Sequence, residues 1–147
     1  MAVNLDLDIV RDYIEDDLND NGYADKITFE YEQDEKSVKV TANVSTSLYD
    51  DIFISLGGNE GGGVSLRAVF DKINKNSTTL ELVNSFNANN FYLKAFIRDD
   101  GYFEIAHETV TYEESYYKDC SSEFLSRLPD LSDVAEVKRL VSMLYSK

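Results

Sequence analysis

The chain has 147 residues, 43% apolar and 12% aromatic, with 28 acidic against 14 basic side chains and a net charge of −14. A chain of that length buries about 70% of its unfolded surface, so one folded domain over 1–147 is expected and disorder is excluded. The charge repels phosphate backbones and disfavours direct nucleic-acid binding.

Residues 4–21 read as a helix. Leu7, Val10, Ile14 and Leu18 form one apolar stripe, Asn4 or Asp6 caps the start, and Gly22 ends it. An alternating run follows, with Ile27, Phe29 and Tyr31 on one arm of a hairpin and Val38, Val40, Ala42 and Val44 on the other. A second pair of strands is expected near 51–56 and 64–70. Its connection holds five glycines. No Gly-Lys-Ser/Thr follows them, so they read as a mobile hairpin tip instead of a phosphate loop.

"NSTTLELVNSFNANN" (76–90) predicts a second helix, capped by Ser77 or Thr78, with Leu80, Val83 and Phe86 inward. "FYLKAFIRDDGYFEIAHE" is a hairpin turning at Asp100-Gly101, with Leu93, Ala95, Ile97, Phe103 and Ile105 in the core. Thr111 caps a third helix that runs to Leu128, where Pro129 breaks it. Ser132 starts the last, whose narrow seam of Val134, Val137, Val141 and Leu144 wants a partner surface, from the same domain or from a second chain. The order α-β-β-β-β-α-β-β-α-α predicts an α+β domain: an antiparallel sheet with helices packed on one face.

The first twenty residues carry seven acids and Arg11, the wrong chemistry for a signal peptide, and no stretch is apolar enough to span a membrane. A cytoplasmic protein without membrane contact is expected. Its two sequons, at Asn43 and Asn76, then have no use.

Chemistry-bearing residues are few. Cys120 is the only cysteine, on the inward face of a helix, and reads as a buried thiol. His107, the only histidine, sits in a strand with no second imidazole or thiol beside it, which argues against zinc and against a Ser-His-Asp triad. Asp17, Asn19, Asn21, Gly22 and Asp25 match the opening of a calcium loop. That loop needs a bidentate Glu at its twelfth position, where Thr28 stands, and a strand pattern follows instead of a helix. A helix C-terminus explains the same residues, so no metal and no cofactor is expected, with weak calcium binding by Asp17, Asn19, Asn21 and Asp25 as the alternative reading.

Residues 64–110 carry a further pattern. It comprises a strand ending in Phe70-Asp71, a helix with Asn84, Phe86 and Asn87, then Asn90-Phe91 leading into a strand, an Asp-Asp-Gly turn and an aromatic-to-aliphatic return strand. This resembles the YbjN-like family, described as bacterial sensory transduction regulators with the fold of type III secretion chaperones. The last helix and the five-glycine connection lie outside the matched pattern. The resemblance implies a small acidic cytosolic protein, usually dimeric, that holds an extended segment of a protein partner, and it brings no catalytic residues.

A non-enzymatic protein-binding module, chaperone- or adaptor-like, follows as the leading expectation, with a homodimer as one form. Tyr92, Phe96 and Tyr102 are its candidate partner contacts, by strand addition to a sheet edge or by a groove. The rival from another class is an acidic inhibitor that imitates nucleic acid, which requires carboxylates arrayed along one face at phosphate spacing.

Overall fold

In the computed structural model, which describes residues 5–20 and 30–145, the apolar stripe of α1 (Leu7–Asp20) is buried as the spacing requires. Asp6 caps it, accepting hydrogen bonds from the backbone N–H of Asp8 at 3.0 Å and Ile9 at 3.4 Å. Ile27 and Phe29 lie outside the described residues. From β1 (Glu30–Gln33) the chain turns into β2 (Ser37–Val44), where Val38, Val40, Ala42 and Val44 point inward.

β3 (Ile52–Asn59) and β4 (Gly63–Lys72) run longer than the glycine content suggested. Gly57 and Gly58 are strand residues, and only Glu60, Gly61 and Gly62 form the connection. They are in the strand because larger residues would not fit. A Cβ on Gly58 would lie 2.2 Å from the ring of Tyr117, whose hydroxyl donates to the Gly63 carbonyl at 2.7 Å. Gly62 takes φ +92°, and its carbonyl accepts from the N–H of Thr111 at 2.8 Å. The tip is therefore tied down, Glu60 also accepting from Leu5 N–H and donating to the Lys36 carbonyl, each at 2.9 Å.

α2 (Ser77–Asn89) is capped by Asn76, not by Ser77 or Thr78. Its side chain accepts from Thr79 N–H at 3.0 Å while Thr79 Oγ1 accepts from Asn76 N–H at 3.0 Å. Starting the helix there turns Leu82, Val83 and Phe86 inward and leaves Leu80 on the surface. β5 (Lys94–Ile97) and β6 (Tyr102–Val110) form the expected hairpin, with Asp100-Gly101 in its turn. Gly101 takes positive φ there, at +92°. The Asp99-Asp100-Gly101 connection closes through Gly101 N–H to Arg98 O, 2.9 Å, and Arg98 N–H to Tyr102 O, 2.8 Å.

α3 starts at Tyr116, not at Thr111, and carries Pro129 within its last turn to end at Asp130. A short 3-10 turn (Leu131–Asp133) leads into α4 (Ala135–Ser142). The seam of α4 is buried by its own domain: Val137, Leu140, Val141 and Leu144 join the core against α2, and Leu144 bridges Ile73.

The sheet is antiparallel with order β1-β2-β3-β4-β6-β5, six strands in one α+β domain. Alternation turns the inner set (Val40, Leu56, Leu66, Ile54, Ala68, Ile105) toward the helices. The opposite face stays open among the described residues. No helix among them is long and apolar enough to cross a membrane.

Candidate functional site: the open face of the sheet

Register fixes the open face as a grid. Lys39, Gly57, Ser65 and Glu108 lie side by side across β2, β3, β4 and β6. The next row is Thr41, Ser55, Arg67 and Ala106, and the next Asn43, Phe53, Val69 and Glu104. Phe53 is 44% exposed at the centre of that third row. The small residues Gly57, Ser55 and Ser65 floor an open groove of about 880 Å³, which Lys39, Arg67 and Glu108 border.

Glu104 faces this open side yet is only 2% exposed. A carboxylate out of water needs partners. Arg67 Nη1 lies 2.5 Å from its Oε2 and Arg98 Nη1 3.7 Å from its Oε1. Arg67 also reaches Glu108 across the β4–β6 pair, and Arg98 reaches Asp100 at 2.9 Å. Phe96 is the direct cross-strand neighbour of Glu104 and lines a small hollow with Arg67 and Arg98. Tyr102 follows on the same face, with Lys72 Nζ 5.6 Å and the Arg98 guanidinium 5.9 Å from its ring centroid. Both aromatics are half-buried.

Tyr92 is separate. It lies on the helical side, stacked on His107 at 3.9 Å between ring centroids, with the Arg127 guanidinium 4.5 Å from its ring centroid. Its hydroxyl donates to the Cys120 carbonyl at 3.1 Å. Burial, reinforced by the charges of Cys120 and Glu123, raises its phenol well above the usual range. His107 Nδ1 lies 2.7 Å from the Tyr92 carbonyl; a carbonyl only accepts, so that nitrogen carries the proton. Cys120 is buried, and burial with Asp119 nearby pushes its thiol up to about 11. The one histidine and the one cysteine are thus both packed between sheet and α3.

Among the described residues the most exposed aromatic is Phe91, at 99%, the residue just before Tyr92. The sequence holds both in one doublet, and nothing in it says which faces out.

The residues of the calcium pattern are divided. Asp17 and Asn19 are helical, in the last turn of α1, Asp17 turned inward and Asn19 outward. Asn21 and Asp25 lie outside the described residues. Among the described residues no three His, Cys, Asp or Glu side chains are grouped so that they could hold a metal ion.

The sheet edge at β5 is occupied. Asn87 Nδ2 donates to the Ala95 carbonyl at 2.8 Å, and its Oδ1 accepts from Ala95 N–H at 2.7 Å. Acids concentrate on the other side of the molecule: α1 holds six against Arg11 alone. Asp8, Asp12, Asp16 and Asp20 are all exposed there at four-residue intervals, about 6 Å of helix each.

No family model, no curated protein and no solved structure matches this chain.

Proposed function

We propose that this chain is a non-enzymatic protein-binding module, chaperone- or adaptor-like, acting in the cytoplasm, with the open face of the sheet as its docking surface. The observation that carries the reading is that face itself: among the described residues the sheet is uncovered on one side, with exposed Phe53 and half-buried Phe96 and Tyr102 near a groove. Exposed apolar area rimmed by charge marks interaction surfaces. The packing of His107 and Cys120 into structural contacts supports a role without catalysis. The resemblance of residues 64–110 to YbjN-like proteins points the same way. Because Asn87 occupies the β5 edge, the mode proposed is docking onto the face, not strand addition there. A photo-crosslinking residue placed at Phe53 or Phe96 in the native cell, read by mass spectrometry, tests this. Defined protein adducts from both positions are expected; no adduct from either ends the reading.

The acidic row of α1 favours a second reading, an inhibitor that presents carboxylates in place of phosphates. Arg11 lies within 4.0 Å of carboxylates on Asp8, Asp12 and Glu15, and Lys118 binds Asp20 at 3.0 Å, so the row is partly neutralised. Binding to a basic nucleic-acid enzyme that weakens steeply with salt is its signature. Salt-independent binding, or none, removes it.

A further inference from the structure

We infer that the groove at one end of the open face binds a neutral oligosaccharide. This goes beyond the protein-docking reading and uses a different part of the face. The groove crosses the strands from Asp34, just after β1, to Glu108 on β6, past Lys39, Gly57 and Ser65. Phe96 and Tyr102 lie in register with Glu104 and Lys72, toward the other end of β4, and stay free for a protein.

Residues without bulk give the groove its shape. Gly57 is bare because a Cβ there would lie 2.4 Å from the Val38 carbonyl oxygen. Ser65 is its neighbour on β4, and Ser55 stands two residues before it on β3. From β1 to β6 there are four strand spacings of about 4.8 Å, a length of roughly 19 Å, which suits about three or four pyranose rings in single file. The volume of about 880 Å³ lies in the usual range of ligand sites.

Chemistry selects the class of ligand. Donors and acceptors stand side by side: Lys39 and Arg67, the carboxylates of Asp34 and Glu108, and the hydroxyls of Ser55 and Ser65, which do both. Ser65 Oγ accepts from Arg67 Nε at 3.1 Å and keeps its own proton to donate. A sugar hydroxyl also donates and accepts, so it matches either kind of group. An apolar ligand would take water from these groups and return no hydrogen bonds. Two bases against two acids leave the groove without net charge, while the −14 of the whole molecule repels anions. A cation finds Glu108 already held by Arg67. Phe53, 44% exposed and two residues before Ser55 on the same face, offers an apolar ring to the C–H face of a sugar at the border of the groove.

Amide NMR spectra recorded during titration test the inference. The probes are linear trisaccharides of glucose, galactose, mannose and N-acetylglucosamine, with trigalacturonate as the acidic control. At least one neutral trisaccharide should shift the amides of Gly57 and Ser65, with a dissociation constant of about 1 mM or tighter. Trigalacturonate should shift them far less. Ser65→Tyr fills the groove at a strand position that tolerates aromatics, and should weaken binding by about tenfold or more with an unchanged circular dichroism spectrum. Ser55→Tyr is a second filling variant with the same expected loss. The inference is overturned if no neutral trisaccharide shifts these amides at about 10 mM. An equal response to trigalacturonate overturns it too, as does full binding by both variants. Protein adducts at Phe96 without sugar binding end the groove's role and leave the docking face standing. Sugar binding without adducts at Phe53 or Phe96 does the reverse.

Discussion

Asn87 holds Ala95 by both of its backbone groups, at 2.8 Å and 2.7 Å, so that a side chain from α2 takes the place of a seventh strand. Lys94 adds to the seal, its ammonium donating to the carbonyls of Asn87 and Asn90. Unpaired sheet edges recruit other chains, and this one is closed by an amide whose donor and acceptor match those of a strand.

Asn87→Ala is expected to cost about 2 kcal/mol, for two hydrogen bonds at about 1 kcal/mol each, and to speed exchange of the Ala95 amide. Asn87→Asp should cost more, since it sets a carboxylate oxygen against the Ala95 carbonyl. Chemical denaturation and hydrogen exchange measure both. Unchanged exchange at Ala95 would show that the clamp does not protect the edge.

The pairing of Glu104 with two arginines predicts an asymmetry. Glu104→Ala leaves Arg67 and Arg98 facing one another without their shared carboxylate and should destabilise by about 2 kcal/mol, an estimate kept low because both arginines are partly in water. Arg98→Ala should cost less, since Arg67 at 2.5 Å remains. Equal costs for the two substitutions in urea unfolding would contradict this.

Gly58 lets Tyr117 reach the sheet. Gly58→Ala is expected to lower stability by about 1–3 kcal/mol, because the added methyl meets a fully buried ring. In the double substitution with Tyr117→Ala the added penalty should largely vanish, since the clashing ring is gone. A thermal denaturation cycle on the four proteins reads the coupling.

Alkali should destabilise the protein progressively. Burial raises the Tyr117 phenol from 10.0 to about 12 and the Cys120 thiol from 9.0 to about 11. Both groups are neutral when protonated, and the folded state favours that form. Their contribution is complete below pH 9 for the thiol and below pH 10 for the phenol, and is lost as pH rises through the folded values. Stability should therefore decline from about pH 9 upward, and Cys120→Ser should delay the onset toward pH 10. A flat profile to pH 11 would contradict the burial of both groups.

Periodic segments were legible because packing and pattern agreed. The α1 stripe, the alternation of β2 and the Leu93 to Ile105 core of the β5–β6 hairpin follow from spacing alone. What was hidden depended on partners remote in sequence. Nothing near Gly57 and Gly58 says that Tyr117 will occupy the space beside the strand. Asn76, Ser77 and Thr78 are all good caps in a row, and the inward turn of Leu82 in place of Leu80 goes with the choice of Asn76. Of the three candidate aromatics, Phe96 and Tyr102 share the open face because strand alternation carries them there. Tyr92 precedes the strand, beyond the reach of that rule, and stacks on His107 instead. The grid of the open face depends on four strand registers, which pairing sets and single-strand patterns do not reveal.

The insertion of β6 between β4 and β5 also governs how the chain reaches this state. Every other strand pair joins neighbours in sequence, but β4 and β6 meet across a closed loop, with Arg67 bound to Glu108 41 residues away. Two subassemblies, the β1–β4 meander and the α2–β5–β6 unit, can form early from local contacts, and their seam must close last. Pulse-labelling during refolding should find amides within each subassembly shielded before those that join β4 to β6. The slow step of folding is then the docking of two halves, and the Arg67–Glu104 pair lies on the line where they meet.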